Sequence, residues 1–475
     1  MAMDLKKGIS TLGMIALGSA GIIGTSWIYT NSKFFALYGS GGEIFGILLA
    51  TTFVAVVALT YAELASTFPR AGGVVVYGYV AFDKTAAFIA GWMLLGAYLA
   101  SLAFYVMASG MLLSWIFPQL KGIPLYSISK TPVFLPVLLI GVVFTLLFFW
   151  LNYRGVSLSS GVQIVLFLAI LVLGFLLCVV GFSYGNLNNF FPPYPKGSSP
   201  ILLTLRFMLP AMTFLTGFEM VAIMAEEANT SPRRIGAVVV ITVLIAGSFY
   251  SLVLLSSAFV IPWEETAQLE RGTIDAFIKA GFPALGWGAY AISFIGLITS
   301  FLALFMATPR VILSMGRAGL LPELFTKIHP KYGTPTNALL FTLLLSLALG
   351  LLGEAAITWF LDLGGIFIGI AWIIGVLAML KIEKKYPWIE KPYRVPARYA
   401  LGAVGIFMIS LILLLSLLPG TEISLRWPYE YCVLIAWLIL GLIIYKTTQK
   451  HKSRNEALKE LLGSYYEKIR EKKGK

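Results

Sequence analysis

Twelve stretches of this chain are apolar over about 20 residues, the length that fills the hydrocarbon core of a bilayer. They lie near 10–31, 42–67, 85–117, 132–151, 157–182, 201–226, 235–261, 284–314, 336–352, 357–380, 399–419 and 428–446. A backbone immersed in hydrocarbon must satisfy its own hydrogen bonds, so stretches of this length are helices and the chain is an all-α polytopic membrane protein with 12 transmembrane helices. Only 12% of its 475 residues are charged, against roughly 25% in soluble domains. The net charge of +13 is unevenly spread. Lys6, Lys7, Arg70, Lys84, Arg154, Arg233, Arg234 and Arg317 fall in alternate loops, whereas the loops between them carry Glu264, Glu265, Glu270 and Asp275 against a few lysines. That asymmetry places both termini in the cytosol and the protein in the cell membrane. It also removes nucleic acid as a partner, leaving the lipid bilayer and a small molecule.

Within the first span lies Gly18-Ser19-Ala20-Gly21-Ile22-Ile23-Gly24-Thr25-Ser26-Trp27. Glycine costs about 1 kcal/mol in a helix interior relative to alanine, and three within seven residues predict a helix that opens inside the membrane. Opened backbone is tolerated there only where it lines a cavity or holds a polar ligand. Amides at the start of the second half-helix suit a carboxylate, and carbonyls of the first half suit a cation or an ammonium. The sixth span has a matching interruption, Thr213-Phe214-Leu215-Thr216-Gly217-Phe218-Glu219. Interrupted helices five spans apart predict an inverted repeat of five plus five helices with its site near the midplane. On that reading residues 1–398 form the inverted-repeat core, 399–449 add helices 11 and 12, and 450–475 form a basic amphipathic tail.

Enzymatic chemistry finds no constellation here. Cys178 and Cys432 lie in apolar spans as packing residues, and His329 and His451 are too few for a metal cluster. Gly18, Gly21 and Gly24 lack the strand and soluble α/β unit that a dinucleotide loop requires. No cofactor is expected beyond a coupling Na+ or H+, and no oligomeric state is readable. The segment from Pro262 to Gly281 is expected as a short helix or a loop over the outer vestibule. In the tail, Leu458, Leu461, Leu462, Tyr465, Tyr466 and Ile469 share one helical face, the pattern of a helix lying on the anionic inner leaflet.

Several motifs, in order along nearly the whole chain, carry a resemblance. They are Gly21-Ile22-Ile23-Gly24-Thr25-Ser26-Trp27; Glu63 with Pro69-Arg70-Ala71-Gly72-Gly73 and Tyr77; and Gly217-Phe218-Glu219 with Glu226-Glu227-Ala228-Asn229-Thr230-Ser231-Pro232-Arg233-Arg234. Arg317-Ala318-Gly319-Leu320-Leu321-Pro322, Gly333-Thr334-Pro335 and Lys391-Pro392-Tyr393-Arg394-Val395-Pro396 complete the set. Together they resemble the amino acid–polyamine–organocation (APC) transporter family, which has the leucine-transporter fold. The resemblance implies secondary active transport of an amino acid by alternating access. It implies a substrate carboxylate on the amides of Gly24, Thr25 and Ser26, and an ammonium on carbonyls near Ala20, Gly21, Phe214 and Thr216. Phe214 or Phe218 would close over the substrate.

Coupling is open between three schemes. Gly296-Leu297-Ile298-Thr299-Ser300 offers adjacent hydroxyls after a glycine carbonyl, and in sodium-coupled relatives of the fold a matching pair forms a sodium site. Here it would comprise Ala20, Ile23, Gly296, Thr299 and Ser300. The fifth-helix stretch Phe167–Val172 has no ionisable residue, which departs from the lysine used by some proton-coupled members. Glu219, a carboxylate inside the membrane, is the proton candidate. Exchange without an ion is the third scheme. Glu63 reads as structural or gating, and Asp362 as a vestibule residue. Ile22, Tyr98, Ser101, Tyr105, Thr213, Phe218, Ala222 and Ile295 are the specificity candidates, and their apolar and aromatic character points to a neutral amino acid. A non-transporting sensor would need a larger soluble extension than this tail.

Overall fold

The computed structural model describes residues 4–470 apart from 123, 129–130, 422–423 and 449–451, with backbone alone at 354–358 and 360–361. Lys450 and His451 thus lie outside the described residues. The chain runs α1 (Thr11–Ile22), α2 (Trp27–Thr67), α3 (Val74–Ala81), α4 (Lys84–Ser114), a hairpin of β1 (Pro124–Ile128) and β2 (Thr131–Phe134), α5 (Leu135–Arg154) and α6 (Val156–Tyr184). It continues through α7 (Pro200–Phe214), α8 (Glu219–Ile223), α9 (Pro232–Val260), α10 (Trp263–Thr266), α11 (Gly272–Lys279) and α12 (Pro283–Arg317). The last part holds α13 (Thr336–Gly350), α14 (Gly353–Lys385), α15 (Arg398–Leu417), α16 (Tyr429–Thr448), α17 (Arg454–Leu462) and α18 (Tyr466–Arg470).

Among the described residues, ten helical segments are long and apolar enough to cross a membrane, counting α7 and α8 together. Two more, α1 and α13, are apolar but shorter. The first expected loop, between 31 and 42, is instead helix. α2 runs on to Thr67 and is interrupted only at Gly39, whose φ of 73° lies in the left-handed region. A side chain there would meet the Pro193 carbonyl at 2.6 Å, and that carbonyl accepts the Gly41 N–H at 2.7 Å. The loop before α7 therefore pins the bend. The two-stranded antiparallel hairpin between α4 and α5 departs from the all-helical expectation; Pro124 and Pro132 mark strands that stay short.

Proline opens α7, α9 and α12 at their first positions, where its missing N–H costs nothing. Asp83 caps α4 by accepting the Thr85 and Ala86 amides. α4 and α12 carry most of their residues in the core. α5, α6, α15 and α16 instead turn Val143, Val165, Phe175, Phe407 and Leu442 outward, an apolar belt suited to lipid. Cys178 and Cys432 are free thiols. Between α9 and α12 the chain forms two short helices, α10 and α11, the helical alternative for that segment.

The tail departs from its expectation. Ala457, Leu458, Leu461 and Leu462 of α17 are buried against the protein, next to α3 and α12, not spread on a lipid surface. A leucine face of this size gains more from closing over other side chains than from a headgroup layer. The Leu461 carbonyl accepts from Arg70 at 2.9 Å, and Lys452 reaches the Arg317 carbonyl at 3.3 Å.

Candidate functional site

Helix α1 ends where Ile23 donates to the Ser19 carbonyl at 2.8 Å, and α2 begins again at Trp27. The four residues between are held from three sides. The Tyr250 hydroxyl of α9 donates to the Ile22 carbonyl at 2.6 Å and accepts from the Gly24 amide at 3.3 Å. The Trp27 indole donates to the Gly24 carbonyl at 3.0 Å. Ser293 of α12 donates to the Thr25 carbonyl at 2.9 Å, and its hydroxyl lies 2.8 Å from that of Thr25. Every opened group so anchored is one that hydrocarbon does not have to solvate. No bond to the Thr25 or Ser26 amide occurs among the described residues. These two amides sit at the positive end of α2.

The second break spans Leu215–Phe218, between α7 and α8. Gly217 has φ of 122°, and a methyl group there would stand 3.1 Å from the Gly21 carbonyl carbon. Only glycine lets the two breaks approach this closely. Glu219 opens α8 and is 1% exposed. It accepts from the Gly217 amide at 3.1 Å and from the Tyr98 hydroxyl at 3.0 Å. Both its oxygens thus have a partner inside the protein. The Tyr250 hydroxyl also lies 3.4 Å from the Phe214 carbonyl, so one side chain touches both breaks.

Between the breaks lies a cavity of about 480 Å³. Gly21, Gly24, Thr25, Ser26, Thr213, Phe214, Thr216, Gly217 and Glu219 line it, with Ile22, Tyr98, Ser101 and Tyr105 of the specificity candidates. Ala20, Ile23, Phe218, Ala222 and Ile295 are not among the lining residues. Phe218 is fully buried, its ring 5.6 Å from that of Tyr61 and 5.1 Å from that of Trp372. Phe214, which is half-buried and set against Phe34 at 5.8 Å, is the phenylalanine that faces the cavity. Asp362 and Arg426 lie on its wall too. Tyr250, Trp27, Phe104, Met220 and the Gly364-Gly365 pair are lining residues that the sequence reading missed. Trp27 directly follows the break and was findable; Tyr250 sits in an ordinary apolar helix with no local signal.

Thr299 and Ser300 are brought to the α1 carbonyls. The Thr299 hydroxyl lies 3.1 Å from the Ala20 carbonyl and 3.0 Å from that of Gly296. The Ser300 hydroxyl lies 3.2 and 3.3 Å from the Ala20 and Gly21 carbonyls. A side chain on Gly296 would stand 3.0 Å from the Ile23 carbonyl and 2.4 Å from that of Gly24. All five residues of the expected sodium set therefore converge, with oxygen donors of the kind a hard cation takes.

The end of the bundle that carries both described termini is closed by buried charge. Glu227 is bonded through both oxygens to Arg310 at 2.8 and 2.7 Å. Glu226 accepts from Arg317 at 2.8 and 3.1 Å, from the Leu5 amide at 2.9 Å and from the Ala71 amide at 3.0 Å. Arg70 adds an ion pair to Glu226 at 3.4 Å and another to Asp4 at 2.9 Å. Burial pushes the Glu226 carboxyl up, but Arg317 and Arg70 outweigh it and hold the group at about 2. Glu63 serves as an anchor: it accepts the Val395 amide at 2.8 Å and faces Arg398.

A lipid-facing bundle whose two interrupted helices meet at a cavity sealed on one side defines a multi-pass membrane permease. The sequence profile of the family described as Amino acid permease matches residues 9–452, and the chain belongs to that family, whose members are transporters and not enzymes. It is 27% identical to the branched-chain amino acid permease BcaP of Bacillus subtilis (strain 168), over 95% of each chain. It is 26% identical to the methylthioribose transporter of the same organism, over 95% of this chain and 96% of that one. It is also 26% identical to the human cationic amino acid transporter 4, over 82% of this chain and 62% of that one.

Proposed function

We propose that the protein is a secondary active transporter of amino acids that works by alternating access in the cell membrane, with both termini cytosolic. The observation that carries this reading is the meeting of the two helix breaks across a cavity whose terminus-bearing end is closed by Glu226, Glu227, Arg310 and Arg317. α1 with the part of α2 before Gly39 makes one interrupted span, and the rest of α2 the next. Counted so, and with α13 included, the chain has twelve spans, the first ten being two inverted halves of five.

The substrate carboxylate sits on the Thr25 and Ser26 amides, which have no partner among the described residues, with the Gly24 amide joining when Tyr250 yields. The ammonium meets carbonyls of Gly21, Phe214 and Thr216. Ile22, Ser101, Thr213, Phe214 and Met220 around the remaining space favour a neutral side chain, as the name of BcaP also does. Sodium is the coupling ion, held by Ala20, Ile23, Gly296, Thr299 and Ser300; the approach of the Thr299 and Ser300 hydroxyls to the α1 carbonyls supports this choice. The names of other relatives include serine, glutamate and cationic substrates, so the side-chain pocket is what differs among them.

The test is uptake of labelled neutral, acidic and cationic amino acids into proteoliposomes under separate sodium and proton gradients. Concentrative uptake of neutral amino acids under sodium alone is expected, and Ser26→Trp should abolish it. Uptake driven only by protons refutes the sodium site. Accumulation by neither gradient, with exchange against preloaded substrate, refutes symport. No flux of any amino acid refutes the whole reading.

A further inference from the structure

At the mouth of the cavity, away from the sealed end, stand two carboxyl groups from different helices. Asp362 of α14 lines the cavity wall. Glu430, in the first turn of α16, is 0% exposed. One of its oxygens accepts the Arg426 amide at 2.6 Å. The other, Oε1, has no donor among the described residues and belongs to a carboxyl in hydrogen-bonding reach of Asp362. The helices that bring them together are clamped by the Trp359 and Tyr429 rings, stacked at 4.9 Å with 3° between planes.

Two ionised carboxylates are both acceptors and cannot bond to each other. Side by side, with Glu430 removed from water, they repel, and one proton between them converts the repulsion into a hydrogen bond. The other charges present do not remove that need. Among the described residues, Arg426 is the charged group facing the pair; it lines the same cavity, and its single positive charge balances one negative charge and not two. α15 contributes Ile412 and Ser416 to this wall. On the hairpin side, the Tyr126 hydroxyl is directed to the Leu351 carbonyl. The remaining titratable groups lining the cavity, Tyr98, Tyr105, Tyr250 and Glu219, belong to its deeper part, where Tyr98 and Glu219 bond to each other and Tyr250 bonds to Ile22 and Gly24.

We propose that Asp362 and Glu430 form a proton-binding site at the mouth of the cavity, holding one shared proton that exchanges with the medium the cavity opens to. With that proton in place the pair and Arg426 are neutral together, and a substrate passes an uncharged mouth. Release of the proton leaves a net negative mouth, and a second proton leaves a positive one. What the proton does for passage rests on the transport reading above; where it sits does not.

The test reads protonation directly. Infrared spectra of the full-length protein in liposomes at neutral pH, in a medium whose cation is N-methylglucamine, should show the carbonyl stretch of a protonated carboxyl. Asp362→Asn and Glu430→Gln, taken singly, should each abolish that band, because an amide then donates to the remaining carboxylate. Asp362 is on the cavity wall, so its variant keeps the test available where Glu430→Gln fails to fold. A band unchanged by both substitutions overturns the proposal. So does a band that vanishes when sodium replaces N-methylglucamine, since the pair would then be a cation seat. Failed uptake leaves the infrared result standing, and a missing band leaves the transport reading standing.

Discussion

Replacing Glu226 with glutamine removes one charge from the centre of the sealed end without changing its shape. The carboxyl ties three separated parts of the chain: the N-terminal segment through Leu5, the turn before α3 through Arg70 and Ala71, and α12 through Arg317. Its depression to about 2 means that these partners prefer the charged form by about 3 kcal/mol. Removal of one member of a buried ion pair costs about 3–5 kcal/mol by comparison. If these contacts exist only while this end is closed, Glu226→Gln shifts the balance toward the state open at the termini by roughly 10²-fold. The assay is thiol labelling of Ser26→Cys in a Cys178→Ser, Cys432→Ser background, with an impermeant reagent applied from the terminus side of oriented vesicles. Labelling should accelerate by about that factor while labelling from the other side slows. Unchanged rates from both sides, with a fall in thermal stability, would refute the reasoning and make the cluster a fixed strut. The pH dependence has a definite sign. A carboxyl depressed in the folded state stabilises above its ordinary value of 4.5, and that contribution is lost as pH falls toward about 2. The seal should therefore be unaffected between neutral and mildly acidic pH.

Thr299→Ala with Ser300→Ala should abolish sodium stimulation of uptake while the protein remains folded, as judged by its melting temperature; an unchanged sodium response would leave these hydroxyls as helix packing alone. Gly217→Ala should destabilise by about 1–3 kcal/mol through its left-handed backbone and push the breaks apart at Gly21, seen as a lowered melting temperature and a raised KM. Wild-type values for both would contradict the close approach.

Composition and hydropathy made the helical bundle legible, because hydrocarbon leaves the backbone so few options. The two breaks were legible for a different reason: glycines beside hydroxyls, twice, are a local signal. What remained hidden depended on distance in space. The bend at Gly39 is fixed by the Pro193 carbonyl, which no pattern within α2 announces. Tyr250 sits in a plain apolar helix, and its hydroxyl becomes meaningful only beside Ile22 and Gly24. Phe214 and Phe218 are indistinguishable by composition, yet the turn at Gly217 sends one to the cavity and the other into the core. The tail showed an apolar face correctly, but amphipathicity states only that a face is covered, not whether by lipid or by protein.

The closed end of the bundle has an electrical consequence. An aqueous cavity that reaches the helix breaks from one side lets most of the membrane potential fall across the thin plug on the other. A charge moved through that plug exchanges about 2.3 kcal/mol per 100 mV. The plug, however, pairs the guanidinium groups of Arg70, Arg310 and Arg317 with the carboxyl groups of Asp4, Glu226 and Glu227, three charges of each sign. Its parting displaces almost no net charge along the field. On the alternating-access reading proposed above, voltage therefore acts on what the cavity carries, and the door itself is blind to it.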